Sequence, residues 1–251
     1  MDRRQFNKAL CSSIASYALF RTLFLKDAFA KAVQPITGHW LGRLHEMSQD
    51  LQSGGITPGQ WQTGIEALLD QVELAELLRL IDFEKLTQGF EYPELGVNTR
   101  WTKFPALEGV PPNLAFHSKI FGMKKDRAII PHGHRNMVSC HYVLQGEFRL
   151  RHYDKVEEDE AHMVIRPTID EVARVGSNSS VSDERNNIHW LKATTDTAFT
   201  FDVLIVDLQG NPWDVDNIDP YGAEKIADGR IRVRKLGLEE ALRKYGHDTH
   251  H

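Results

Sequence analysis

Apolar positions in the first third of the chain recur at helical spacing. Trp40, Leu41, Leu44, Met47 and Leu51 form one stripe, which Ser53-Gly54-Gly55 ends. A second helix is predicted from Thr57-Pro58, where Thr caps and Pro suits the first turn; Trp61, Ile65, Leu68, Leu69 and Val72 form its stripe. Leu74, Leu77, Leu78 and Ile81 continue the pattern after a bend. From about Tyr92 the period changes to short β-rich runs separated by Gly, Pro and Asn, the pattern of a sandwich or barrel. Strands are predicted over 114–121, 139–144, 147–153, 162–166, 188–193 and 198–208, with turns at Gln145-Gly146 and around Gly176 to Ser180. Past Trp213 the chain is polar, with one short helical patch at 238–244 stopped by Gly246. The expected organisation is a leader over 1–30, a helical extension over 31–90, a β-barrel over 91–215 and a C-terminal tail over 216–251.

The leader is an expectation from the opening segment. Arg3-Arg4 is followed by Phe6 and Lys8, then by a modestly apolar stretch reaching Ala28-Phe29-Ala30, a small-x-small cleavage pattern. Arg3-Arg4 with Phe6 resembles the twin-arginine export signal, which implies a periplasmic or exported protein; a cytoplasmic chain opening on an amphipathic helix is the alternative. No other stretch approaches the ~20 apolar residues of a membrane span, so no span is expected after processing.

Composition narrows the partners. The 251 residues are 41% hydrophobic and 26% charged, with a net charge of -5. No basic stripe suits a phosphate backbone, which argues against nucleic acid. Without the first thirty residues the balance is 25 basic against 33 acidic residues, further from any anionic partner. Only Cys11 and Cys140 occur. A chain cut at Ala30 therefore has no internal disulfide, and Cys140 reads as a buried, inert thiol.

The chemistry is concentrated in AIIPHGHRNMVSCHYVLQGEFRLRHYD. His132 and His134 are two apart on a strand, so both imidazoles share a face. Two imidazoles fixed in that way set two coordination bonds to a transition metal. With 12 His in 251 residues, about 0.6 such pairs arise by chance, so the setting carries the inference. An apolar Ala128-Ile129-Ile130 run leads in, Gly146 ends the next strand, and His189 starts a later strand in NNIHWLKA.

Those features resemble the two motifs of the cupin superfamily. PHGHRNMVSCHYVLQGEFRLRHYDKV with NNIHWLKATTDTAFTFDVL is more narrowly similar to the thiol dioxygenases acting on cysteamine or on N-terminal cysteine, over about 114–208. The resemblance implies an all-β cupin barrel, a double-stranded β-helix or jelly roll, with an N-terminal helical extension. It also implies Fe(II) held by His132, His134 and His189. Asp202 is the nearest match to the acidic residue expected on the last strand. Two departures stand out. Cupins generally place a glutamate ligand seven residues before the turn glycine, where this chain has Ser139, and the Pro-Pro-Tyr that follows the last strand in thiol dioxygenases is replaced by Ile205 to Gly210. Three neutral ligands leave the metal its full dipositive charge, which favours an anionic atom such as a thiolate.

Asp202 and His141 are the candidate catalytic residues. Asp202 either orients a histidine or hydrogen-bonds substrate, and His141 reads as a buried supporting histidine rather than a fourth ligand. His117 and His152 read as structural or surface residues. His247, His250 and His251 are expected at a frayed end. Arg100, Arg135 and Arg149 are possible carboxylate anchors. The expected activity is oxidation of a thiol to a sulfinate with O2, on a small-molecule thiol or a peptide with N-terminal cysteine. The alternatives are a cupin isomerase or other oxygenase using Mn, Zn or Ni, and a non-catalytic ligand-binding cupin. Substrate and oligomeric state are left open.

Overall fold

The structure, a computed structural model, describes residues 39–248. The arginine pair, the cleavage pattern, His250 and His251 lie outside them. Four helices come first: α1 (Trp40–Gln52), α2 (Pro58–Leu69), α3 (Leu74–Leu80) and α4 (Phe83–Thr87). The start of α2 is set as its sequence predicts, with Pro58 in the first turn and Thr57 and Gln60 forming a reciprocal capping box.

Nine strands then build the barrel: β1 (Asn98–Trp101), β2 (His117–Lys124), β3 (Ala128–Arg135), β4 (Val138–Gln145), β5 (Glu147–Glu158), β6 (His162–Arg174), β7 (Asn178–Val181), β8 (Ile188–Ala193) and β9 (Thr197–Ile205). Three more follow, β10 (Asp214–Ile218), β11 (Glu224–Lys225) and β12 (Ile231–Leu236), before helix α5 (Leu238–Tyr245). One sheet has the order β1-β2-β9-β4-β7 and the other β10-β3-β8-β5-β6-β12-β11, with every pairing antiparallel. The eight strands β2-β9-β4-β7 and β3-β8-β5-β6 alternate between sheets as the chain advances, except for the β5–β6 hairpin within one sheet, which is the strand order of a jelly roll.

Strand ends shift, with β5 and β6 running on to Glu158 and Arg174, and two regions differ more deeply from the sequence reading. The expected turn around Gly176 to Ser180 is shorter, because Asn178–Val181 pairs with β4 as β7. The expected tail is not a tail: β10 pairs with β3, β12 with β6, and β10 with β12, so the larger sheet curls back on itself around Ile218 and Val233. His247 is likewise no frayed residue, since it bridges to Arg127. The polar surface of these short strands hid them, as only Ile218 of β10 and Val233 and Leu236 of β12 are buried.

Alternation sorts the five-stranded sheet into two faces. Ile120, Cys140, Tyr142, Phe201 and Val203 pack outward under the helices with Trp61, Ile65 and Leu77. Their neighbours Phe121, Met123, Val143 and Ala198 point into the lumen, against Phe148, Leu150 and Leu191 of the other sheet. Cys140 is fully buried on the helix side, and desolvation pushes its thiol pKa well up, which leaves it inert.

Candidate metal centre

The lumen changes from apolar to polar at one level, and the strand registers define that level. His132 of β3 pairs with His189 of β8, and His189 with His152 of β5. On the opposite sheet Lys119 of β2 pairs with Asp202 of β9, and Asp202 with His141 of β4. Six polar side chains from six strands thus form a single layer, with His134 two residues beyond His132.

A bulge aims the first two histidines. Ile129 faces Leu191 and His132 faces His189, so Ile130 and Pro131 together oppose Trp190. That extra residue restores the inward parity that His132 would otherwise lose. Proline suits the place because the bulge leaves its missing N–H without a ladder partner to fail. Gly133 points outward, where a Cβ would come within 2.8 Å of Ile188 and 3.0 Å of Asn187. Asn187 donates through Nδ2 to the carbonyl of His134 at 2.8 Å and to Asp183 at 3.0 Å. The loop carrying Asn187 is docked on α2 by the bond from Ser182 to Gln62, 2.6 Å, and by Arg185 to Glu66, 2.8 Å. Through that loop the helical layer positions the site.

The nitrogens of His132, His134 and His189 lie within 4.8 Å of one another. Nε2 of His189 is 2.9 Å from Nε2 of His132 and 3.1 Å from Nε2 of His134. Metal–nitrogen bonds of about 2.1 Å at right angles place two nitrogens about 3.0 Å apart, so these spacings suit adjacent ligands of one ion. The protons agree. Nδ1 of His132 meets the carbonyl of Ile130 at 2.7 Å, which can only accept, so Nδ1 carries the proton and Nε2 the lone pair. Asp202 takes a hydrogen bond from Thr200 at 2.6 Å and pairs with Nδ1 of His141. His141 therefore accepts at Nε2, where Nδ1 of His189 lies 2.8 Å away and donates, leaving the lone pair on Nε2 of His189. Two lone pairs thus converge at 2.9 Å with no proton between them, an arrangement that a cation stabilises.

Burial keeps the imidazoles neutral. Desolvation lowers His132 to about 4 and holds His134 and His189 well below their ordinary value, with neighbouring His141 and Lys119 adding to it at His132 and His134. Neutral imidazole is the form that binds a metal. Ser139, at the position of the cupin glutamate, is buried with its hydroxyl unpaired. Asp202 is fully buried behind His141 and His189. Its carboxylate contacts His141 and Thr200.

The three arginines are spent elsewhere. Arg100 donates to the carbonyls of Leu86, Gln88 and Gly89, Arg135 pairs with Asp214 and Asp216, and Arg149 with Asp170. His117 is exposed beside Trp101. Lys119 and His152 belong to the layer instead. His152 is no surface residue: it is fully buried, with ring centroid 6.1 Å from that of His189. The alternation Phe148, Leu150, His152 carried that signal, whereas both faces of β2 mix polar and apolar residues and nothing marked Lys119.

The chain matches no protein-family model and no curated protein sequence. Solved structures similar to it include procruciferin, an 11S globulin from Brassica napus, at 12% identity over 41% of this chain and 22% of that one, with a TM-score of 0.32. An 11S globulin from Wrightia tinctoria aligns at 16% identity over 50% of this chain and 28% of its own, TM-score 0.35. KdgF from Halomonas sp. aligns at 12% identity over 47% of this chain and 86% of its own, TM-score 0.33. This chain spans between a fifth and a third of the length of the globulins it matches. Strand order and register alone define the jelly roll here.

Proposed function

We propose that this chain is an Fe(II)-dependent dioxygenase that converts a thiol to a sulfinate. The observation that carries the reading is the donor set: three neutral imidazoles converge with Ser139 where a carboxylate ligand would sit, and the buried carboxylate of the layer is turned onto His141. Fe(II) bound there would supply a full dipositive charge that draws a thiolate, together with open positions for dioxygen. The chain's own contribution is orientation. Ile130 fixes the tautomer of His132, Asn187 fixes the backbone at His134, and the Thr200-Asp202-His141 series fixes the tautomer of His189. The balance is closed without a further reductant: sulfur gives up four electrons, dioxygen takes them, and both oxygen atoms end on sulfur while the thiol proton ends on the acid.

The test is oxygen consumption by iron-loaded protein with cysteamine, cysteine, 3-mercaptopropionate and Cys-initiated peptides, against metal-free protein. A product heavier by about 32 mass units, with both oxygens from labelled gas, is expected. No uptake with any of these thiols overturns the reading. The same three nitrogens suit Mn, Zn or Ni, and metal analysis of protein from its own host separates those cupin chemistries from this one.

A further inference from the structure

We propose that Lys119 holds the carboxylate of the substrate, so that the substrate is a short thiol carrying an acid group rather than an amine; this rests on the thiol dioxygenase reading for what occupies the other end. Ile120 is buried under the helices, which puts its neighbours Lys119 and Phe121 on the lumen face of β2. Nζ of Lys119 lies 4.5 Å from the ring centre of Phe121 and 5.6 Å from that of Trp101. Phe121 in turn stands 6.5 Å from the ring of His141. The ammonium is therefore held at the polar layer by two aromatic faces, on a strand next to Asp202.

Among the described residues no carboxylate forms an ion pair with Lys119, and its register partner Asp202 is taken by His141 and Thr200. A half-buried ammonium with only aromatic company is costly to keep, and an incoming anion repays the cost with a charge-assisted hydrogen bond. His132 is the one partly exposed member of the three histidines, and Trp101, whose ring lies beside the Lys119 ammonium, is 62% exposed. Desolvation lowers the pKa of Lys119, and its charge reaches both His132 and His134, which agrees with a position facing the metal ligands. A cation there attracts a carboxylate and repels the ammonium of cysteamine. With the three arginines spent on carbonyls and surface acids, Lys119 is the basic group the layer offers.

The experiment compares binding and oxidation separately. Iron-loaded wild type, Lys119→Met and Lys119→Arg are titrated anaerobically by calorimetry with 3-mercaptopropionate, 1-propanethiol and cysteamine, and oxygen uptake is then measured with each. Wild type should prefer 3-mercaptopropionate to the other two by roughly tenfold or more, the value of one buried charge-assisted hydrogen bond. Lys119→Met should lose that preference, Lys119→Arg should keep part of it, and the iron content of both should match wild type. Equal preference in wild type and Lys119→Met overturns the anchor, as does a wild type that favours cysteamine. Lys119-dependent binding of 3-mercaptopropionate without oxygen uptake keeps the anchor and overturns the dioxygenase. Binding of none of the three overturns both.

Discussion

His152 is fully buried in the polar layer, and neither of its ring nitrogens has a hydrogen-bond partner among the described residues. Desolvation, with a smaller push from His141, lowers its pKa to about 3. An unfolded chain binds a proton at this side chain below about 6.5, whereas the folded one resists until about 3. The folded state is therefore penalised as pH falls through that window, on the order of 1 kcal/mol per pH unit while the gap persists. His152→Leu removes the penalty and the two unpaired nitrogens together. We expect the metal-free variant to be as stable as wild type at pH 7 or more so, by about 1 kcal/mol. Its melting temperature should also fall less steeply between pH 6.5 and 4. His132, His134 and His189 are depressed in the same direction, so some slope remains. Parallel melting curves against pH for wild type and variant would show that His152 does not titrate as its burial requires.

At the scale of elements the site depends on parity. Strand β3 delivers His132 and His134 to the lumen because Ile130 and Pro131 share one partner, and a strand of the same length without that bulge would turn both imidazoles outward. Deleting Pro131 takes out the extra residue itself, leaving Ile130 alone opposite Trp190 and His132 still opposite His189, so the variant should keep stoichiometric metal binding, as judged by metal analysis after gel filtration. Loss of metal with the far-ultraviolet circular dichroism unchanged would show that the bulge does more than set which way the two histidines point. The sequence made part of this visible. The Pro-His-Gly-His spacing put two histidines on one face, and the short apolar runs marked the strands of the jelly roll. The parity itself was hidden, because two-residue spacing says that His132 and His134 agree without saying which way they point. The row Lys119, Asp202, His141 was hidden for a related reason: cross-strand register joins residues sixty to more than eighty positions apart, and one chain read in order carries no record of it.

At the scale of the whole molecule, the three ligands come from two strands that pair only after the chain has travelled from His132 to His189, and the loop that fixes His134 is held by helix α2. An ion bound by all three ties together β3, β8 and, through His141 and Asp202, β4 and β9. The unfolded chain offers no such preformed set of lone pairs, so metal binding should appear as folding stability. With free metal at about a thousand times its Kd the gain is about 4 kcal/mol, which for a domain of this size raises the melting temperature by roughly 10 °C. We expect Fe(II), added anaerobically to protein stripped with chelator, to produce a rise of that order in differential scanning calorimetry. His132→Ala, His134→Ala and His189→Ala should each lose most of the rise, because one of three bonds is gone. His141→Ala should keep a reduced rise, since freeing the tautomer of His189 weakens affinity by about 10 to 100-fold, a loss of about 1.4 to 2.7 kcal/mol. His117→Ala, exposed at the rim, should respond like wild type. A melting temperature indifferent to metal in wild type would remove the metal centre itself, and equal rises in all five variants would place the ion somewhere other than these histidines.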